Sequence, residues 1–306
     1  MEEKLYTPQE AADILKIKKN TVYDMIKKGT LTATKMGKQF RIKESDLREL
    51  LNPSGSAESK STERHLQNRP AAFTGNIVVC GQDIVLDMLC SAVNSKLGSA
   101  RFVRSYEGSY NGLHPMYLNE VTAASAHLWD IRTDTYNLPF IHTLLPGEEV
   151  QLYHVLSRPI GLYVAKGNPA QITGIRDFGR NDITIVNREK GSGIRILTDS
   201  LICEYGIDKS LINGYDRIVN SHLAAAAIVA KGGADCAVGT RNIAMQFANI
   251  DFVFLKNEQY DIAIKASDMN RPEIRTMVEI LQSESFRDEV STMGWYDTTD
   301  MGKRLL

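Results

Sequence analysis

Hydrophobic positions along the chain fall into two regimes, separated by a stretch that has no apolar pattern at all. Near the start, Thr7-Pro8-Gln9-Glu10 reads as a helix opening, with Thr7 as N-cap, Pro8 in the first helical position and Glu10 at the capping-box position. Ala11, Ile14 and Leu15 then share one helical face. A break at 16–18 precedes a second helical pattern over 20–28, where Val22, Met25 and Ile26 fall on one side and Gly29 supplies the stop. Residues 32–36 and 39–42 flank Gly37-Lys38 as a short hairpin, and 44–51 follow as a third helix. The segment 53–70, PSGSAESKSTERHLQNRP, is polar, serine-rich and bounded by prolines, the composition of a linker. Beyond it, strand-like runs at 76–80, 101–105, 123–128, 160–165 and 183–186 alternate with helical patterns at 84–97, 113–120, 194–205 and 222–231. Such alternation predicts parallel sheets in an α/β architecture, and its length suits two lobes better than one sheet.

Composition sets bounds on this picture. With 306 residues, 43% hydrophobic and 24% charged, the chain has material for about two domains with a sizeable core. No run approaches the roughly 18 apolar residues of a membrane helix, and the acidic Met1-Glu2-Glu3-Lys4 start is unlike a secretory leader. Cys80, Cys90, Cys203 and Cys236 are dispersed and form no C-x-x-C pair, so they read as reduced thiols of a cytoplasmic protein. The net charge of -1 conceals an asymmetry: 1–52 hold 11 Lys and Arg against 8 Asp and Glu, and the remainder 25 against 29. Between Lys16 and Lys43 stand nine basic side chains and one acid, Asp24. That concentration fits either a solvated face or a surface for a polyanionic partner, and the spacing of the elements has to decide between them.

Helix, turn, helix, hairpin and third helix within about fifty residues make a winged helix-turn-helix plan. The residues Tyr6-Thr7-Pro8-Gln9-Glu10-Ala11-Ala12, Asn20-Thr21-Val22-Tyr23, Ile26-Lys27-Lys28-Gly29 and Gly37-Lys38-Gln39-Phe40-Arg41-Ile42 resemble the excisionase and MerR-type DNA-binding family over the whole module. The resemblance implies double-stranded DNA as partner. Lys18, Lys19, Asn20, Thr21, Tyr23 and Lys27 would serve the second helix in the major groove, and Lys38 and Arg41 would meet the backbone or minor groove. One departure is Lys18, where the family usually carries Ser, so a helix cap is exchanged for a phosphate contact.

Three turns in the larger module carry small polar residues ahead of a helix: Gly81-Gln82-Asp83, Gly108-Ser109-Tyr110-Asn111-Gly112 and Gly191-Ser192-Gly193-Ile194-Arg195. Exposed backbone N–H groups at helix starts attract anions, and three such turns converging would form an anion site. Together with 187–195, 222–235, 258–261 and the Gly294-Trp295-Tyr296-Asp297 ending, they resemble the periplasmic-binding-protein-like ligand domain fused to helix-turn-helix modules in regulators. That family is related to molybdate and tungstate receptors. Gln82 and Ile194 replace the hydroxyl residues common in those relatives, while Arg188 and Arg195 remain as fixed cations for a small oxyanion or carboxylate. The candidate ligand residues are Gln82, Asp83, Ser109, Tyr110, Arg188, Gly191, Ser192, Gly193 and Arg195. Nucleotide, zinc-protease and hydrolase motifs are missing, and the six histidines show no metal-ligand spacing.

The expected fold is therefore α/β, an N-terminal winged helix-turn-helix over 1–52, a linker over 53–70, and a two-lobed type II periplasmic-binding-protein-like domain over 71–306. Lobe 1 is expected at about 71–158 and 257–306, lobe 2 at about 159–256, with hinges near 157–161 and 254–258. The implied function is a cytoplasmic one-component transcription regulator that responds to a small anion, molybdate or tungstate first, with no cofactor or catalysis. Homodimers or larger oligomers are expected because one such module offers few DNA contacts. The alternatives are an enzyme or sensor of molybdenum-cofactor metabolism and an excisionase-like architectural DNA-binding protein.

Overall fold

The computed structural model describes residues 5–15, 19, 22, 26, 31, 33–36, 39–44, 76–99 and 101–306. The chain divides into two compact units, 1–74 and 75–306.

In the first unit, helix α1 (Pro8–Leu15) opens on the expected capping box: Thr7 N and Oγ1 reach Glu10 Oε2 at 2.7 and 2.8 Å, and Glu10 N reaches Thr7 Oγ1 at 3.3 Å. Strands β1 (Leu5–Tyr6), β2 (Thr34–Met36) and β3 (Gln39–Lys43) form an antiparallel sheet in the order β1-β3-β2, so the predicted hairpin gains a third strand from ahead of the helix. Ala11, Ala12, Val22, Leu31 and Ile42 make the core. Ile14, expected on the buried face of α1, is exposed instead, because Pro8, Ala11 and Ala12 form the buried i, i+3, i+4 stripe. Lys19, Val22 and Ile26 are helical, as the spacing requires. Of the third helix only Glu44 is described, and the linker 53–70 lies outside the described residues.

The second unit is built on a six-stranded sheet of β4 (Ile77–Cys80), β5 (Phe102–Ser105), β6 (Ala123–Ala126), β9 (Val150–Ala165), β12 (Cys236–Thr240) and β13 (Ile250–Lys265), in the order β12-β9-β13-β6-β4-β5. Smaller pairs are β7 (Trp129–Asp130) with β8 (Thr135–Tyr136), and β10 (Asn187–Arg188) with β11 (Ile218–Val219). Around them stand α2 (Ile84–Leu97), α3 (Tyr110–Tyr117), α4 (Leu138–Leu144), α5 (Gly193–Glu204), α6 (His222–Ala230), α7 (Arg241–Ala244), α8 (Pro272–Leu281) and α9 (Glu284–Ser291). The class is α/β as expected, but the sheet is not wholly parallel. Only β5-β4-β6 run parallel; β13 lies antiparallel to β6 and β9, and β12 antiparallel to β9.

Two 16-residue strands account for the difference. Polar residues interrupt their hydrophobic runs, so the sequence pattern marks only 160–165 as strand. Folding satisfies those polar groups across the pair: His154 Nδ1 meets Asp261 Oδ1 at 2.7 Å and Arg158 Nε meets Glu258 Oε2 at 2.7 Å, all four side chains buried. The two expected hinge segments lie side by side in this ladder, with Gly161 opposite Phe254, Pro159 opposite Asn257 and Arg158 opposite Glu258, and a register shift between Phe254 and Lys256. A side chain at Gly161 would run into the Val253 carbonyl, so the ladder closes only over glycine there. The helix expected at 113–120 instead starts at Tyr110, and the strand expected at 183–186 reduces to single bridges from Thr184 to Asn213 and Ile185 to Cys236. Among the described residues, no helix is long and apolar enough to cross a membrane.

Candidate ligand-binding cleft

All three turns singled out in the sequence meet. At the first, Gly81 has φ 154 and no room for a Cβ, which places Gln82 and Asp83 at the start of α2. Gln82 Oε1 accepts from Arg188 Nη2 at 2.8 Å, while its Nε2 donates to the Tyr106 carbonyl at 3.1 Å and lies 3.5 Å from Glu189 Oε1. At the second, Tyr110 N donates to the Gly191 carbonyl at 3.2 Å and Asn111 Nδ2 to the Lys190 carbonyl at 3.1 Å. The third turn needs its glycines for the approach. A side chain at Gly191 would overlap Asn111, and one at Gly193 would overlap the His127 ring.

The structure separates residues spent on the scaffold from those with capacity left. Asp83 caps α2 by accepting from Val85 N at 2.9 Å, and its carboxylate also receives Arg158 Nη1 and, at 3.0 Å, the Tyr296 hydroxyl. Arg158 lies 4.6 Å over the Tyr260 ring and holds Glu258 as well. Ser109, fully buried at φ 51, uses its hydroxyl on His127, accepting from the backbone N at 3.2 Å and pairing with Nδ1 at 2.9 Å. The Tyr110 ring is exposed and lies along His114. Ser192 caps α5, accepting from Arg195 N and donating to the Glu189 carbonyl at 3.0 Å. Arg195 is 2% exposed, bonded to Asp199 and the Arg188 carbonyl at 3.0 Å each and stacked on Tyr215. Its guanidinium thus braces the loop that carries Arg188.

Arg188 differs. It is also 2% exposed, and its Nε and Nη2 clasp Glu189 at 2.7 and 2.8 Å, yet Nη1 is buried without a hydrogen-bond partner. Other buried atoms without a hydrogen-bond partner include Nε and Nη1 of Arg104, whose Nη2 donates to the Gly81 carbonyl of the first turn at 2.7 Å, and Nδ1 of His222, the first residue of α6. Burial, then the charges of Arg188 and Arg158, hold the His222 ring well below the ordinary histidine pKa, so it is neutral near pH 7. His127 is pushed down in the same way. Glu258 moves upward through burial, opposed by Arg158. Sequence reading missed Glu189, His222, His127, Arg158 and Glu258. Glu189 was legible as the acid next to Arg188, but the other four needed contacts between distant segments. No group of three or more metal-ligating side chains occurs among the described residues.

In the first unit, Lys19 is exposed on a helix and Arg41 sits in β3 with Nη1 3.3 Å from the Phe40 carbonyl. Lys18, Asn20, Thr21, Tyr23, Lys27 and Lys38 lie outside the described residues.

Compared with known proteins, residues 90–282 match the PBP superfamily domain and residues 5–53 match a helix-turn-helix domain. The uncharacterized protein YvgK of Bacillus subtilis (strain 168) is 38% identical over 304 residues, covering 98% of this chain and 97% of that protein. Among solved structures, a protein assigned as a phosphate ABC transporter substrate-binding protein, with bound phosphate, from Clostridium perfringens aligns with a TM-score of 0.53 at 14% identity, covering 72% of this chain and 99% of that one. The CcmR regulatory domain of Synechocystis PCC6803 in complex with 2-PG aligns at 0.51 and 15% identity, covering 67% and 94%. Both likenesses concern the fold.

Proposed function

We propose, from the premise that the chain belongs to the PBP superfamily, that it is a ligand-responsive, DNA-binding transcription regulator of the cytoplasm, with no catalytic role. The helix-turn-helix domain over 1–52 engages double-stranded DNA as a homodimer or larger oligomer. A small anion binds between two lobes of the domain over 71–306, divided at about 158 and 257. Closure about the paired segments 157–161 and 254–258 then alters DNA affinity, because a ligand that prefers one state shifts the population toward it.

The observation that carries the ligand reading is Arg188: a buried guanidinium with a free Nη1 where three helix-opening turns meet. Glu189 meets Arg188 through Nε and Nη2, and the buried Nη1 donor left over is unfavourable unless an acceptor on a ligand completes it. Molybdate or tungstate is the identity suggested by the sequence resemblance; phosphate and 2-PG are bound by the two fold neighbours. The test is calorimetry on the full chain with these oxyanions and a panel of carboxylic acids. Arg188→Ala is expected to lose about 2–4 kcal/mol of binding, the scale for truncating one partner of a desolvated charge pair. Unchanged affinity in that variant would remove Arg188 from the site.

A further inference from the structure

The ladder that pairs the two hinge segments has a gap along one edge. Strand β12 ends at Thr240, opposite Ile160 of β9, and β9 takes its next neighbour on that side at Ser157, which bridges to Asp297. Arg158 and Pro159 lie between the two, and Pro159 has no N–H to leave unpaired. A cavity of about 330 Å³ opens here, at the lower end of the range for small-molecule pockets. Its walls come from both sides of the hinge: Arg241 and Met245 on one, Trp295 and Asp297 on the other, with Asn257 from β13. None of the turns that carry Gln82, Ser109 or Gly191 lines it, so it is a different place from the Arg188 cleft.

Opposite charges stand in this cavity without meeting. Arg241 is exposed, and its guanidinium makes no ion pair or hydrogen bond with any described residue. Asp297 spends Oδ1 on Thr299, accepting from Oγ1 at 2.6 Å and from N at 3.0 Å, and those donors hold its carboxyl below the usual carboxylate range. Its Oδ2 has no hydrogen-bond partner among the described residues. Arg158 also lines the cavity, but Asp83 and Glu258 already take up its charge. Hydrogen bonding nearby is incomplete: Trp295 Nε1 is buried without a partner, and so is Oδ1 of Asn242, whose Nδ2 donates to the Tyr296 hydroxyl at 3.3 Å. Met245, 63% exposed, gives the cavity apolar surface together with Pro159 and Trp295.

We propose that this cavity is a second ligand site, for a small zwitterion with an apolar side chain, of the α-amino acid class. The carboxylate goes to Arg241, the ammonium to Asp297 Oδ2, and the side chain against Met245, Pro159 and Trp295. A simple anion would meet the like charge of Asp297, and a simple cation that of Arg241; a molecule carrying both charges satisfies each. Because the walls belong to both sides of the hinge, an occupant ties the lobes together and favours one angle between them. The site stands whatever fills the Arg188 cleft.

The experiment is calorimetry on the full chain near neutral pH, with leucine and phenylalanine each set against the two compounds that keep only one of its charges. These are isocaproate and isoamylamine for leucine, hydrocinnamate and phenethylamine for phenylalanine. At least one amino acid is expected to bind, and to bind about tenfold or more tighter than both its counterparts, the ratio one hydrogen bond between charged groups supplies. Arg241→Ala and Asp297→Asn are each expected to lose that margin; the asparagine keeps the Oδ1 that receives Thr299. Arg188→Ala, altered in the anion cleft alone, is expected to bind the amino acid as the wild type does. Binding of neither amino acid, counterparts that bind as tightly, or an unchanged affinity in either Arg241→Ala or Asp297→Asn would overturn the proposal and leave the anion cleft standing. Loss of binding in Arg188→Ala with Arg241→Ala unaffected would put the amino acid in the cleft and overturn this site as well. If one variant fails to fold, the other and the wild-type comparison decide.

Discussion

Asp83 stands at the start of α2 with Arg158 and Tyr296 on its carboxylate, and it is 4% exposed. Asp83→Ala leaves Arg158 with Glu258 alone in a buried setting and removes the cap of α2. Breaking one partner of a buried pair costs about 3–5 kcal/mol, and urea unfolding of the variant is expected to show a loss on that scale. The buried histidines give a pH signature. His127 and His222 have folded pKa values below the ordinary 6.5, so the unfolded chain binds more protons than the folded one below that value. Their stabilising contribution is complete above pH 6.5 and is lost as pH falls below it. A melting temperature that declines as pH drops from 7.5 toward 5.5, and declines less in His222→Gln, is the expected result; those set points are about one unit either side of the histidine value. A flat profile in the wild type would show that the two rings take up protons without penalty.

At the scale of elements, the N-terminus of α5 does two jobs. Ser192 closes the helix by accepting from Arg195 N and ties it to the preceding loop through the Glu189 carbonyl. Ser192→Ala is expected to cost about 1 kcal/mol of stability, as for an ordinary N-cap, and additionally to loosen the loop that carries Arg188 and Glu189. Gly193→Ala places a methyl group against the His127 ring and is expected to cost about 1–3 kcal/mol by overpacking while weakening ligand binding. Thermal unfolding and calorimetry on the same variants separate the two effects. If both variants lose stability yet bind as before, the α5 terminus is a structural support and not part of the ligand surface. The long strands β9 and β13 make a similar point about position: Arg158 and Glu258 sit opposite each other in the ladder, where the two candidate hinges pair.

For the molecule as a whole, the basic cluster of 16–43 and the helix-turn-helix match over 5–53 lead to a test on the intact protein. The triple change Lys19, Lys38 and Arg41 to Ala is expected to weaken binding to all DNA sequences and to flatten the salt dependence by about one counterion per residue. Asn20→Ala is instead expected to alter sequence preference, because base-edge contacts specify where phosphate contacts position. Undiminished DNA affinity in the triple variant at physiological salt would remove this surface from the interface. Linkage adds a reciprocal requirement: a ligand that changes DNA affinity by some factor must have its own affinity changed by that factor when DNA is bound. Calorimetry with and without DNA measures it.

Local signals in the sequence determined the capping box at Thr7–Glu10, the helix 84–97, and the glycine turns at 81, 191 and 193. Each depends on neighbours within a few residues, through cap chemistry, apolar periodicity or a backbone that excludes a Cβ. The same locality explains why Arg188 was legible, as a fixed cation within a glycine-rich loop, and why Glu189 beside it was within reach. Only the tertiary structure decided that β9 and β13 run as two continuous antiparallel strands, because their buried charges look like loop residues until His154 meets Asp261 and Arg158 meets Glu258 across more than ninety residues. It also decided which candidates are spent. Asp83, Ser109, Ser192 and Arg195 carry the right chemistry for an anion site, but their partners come from elsewhere in the chain or from the loop's own return, and no spacing rule reveals that their hydrogen bonds are already made. Residual capacity, as on Arg188 Nη1 and His222 Nδ1, depends on contacts that are not made, and those exist only once the chain has folded.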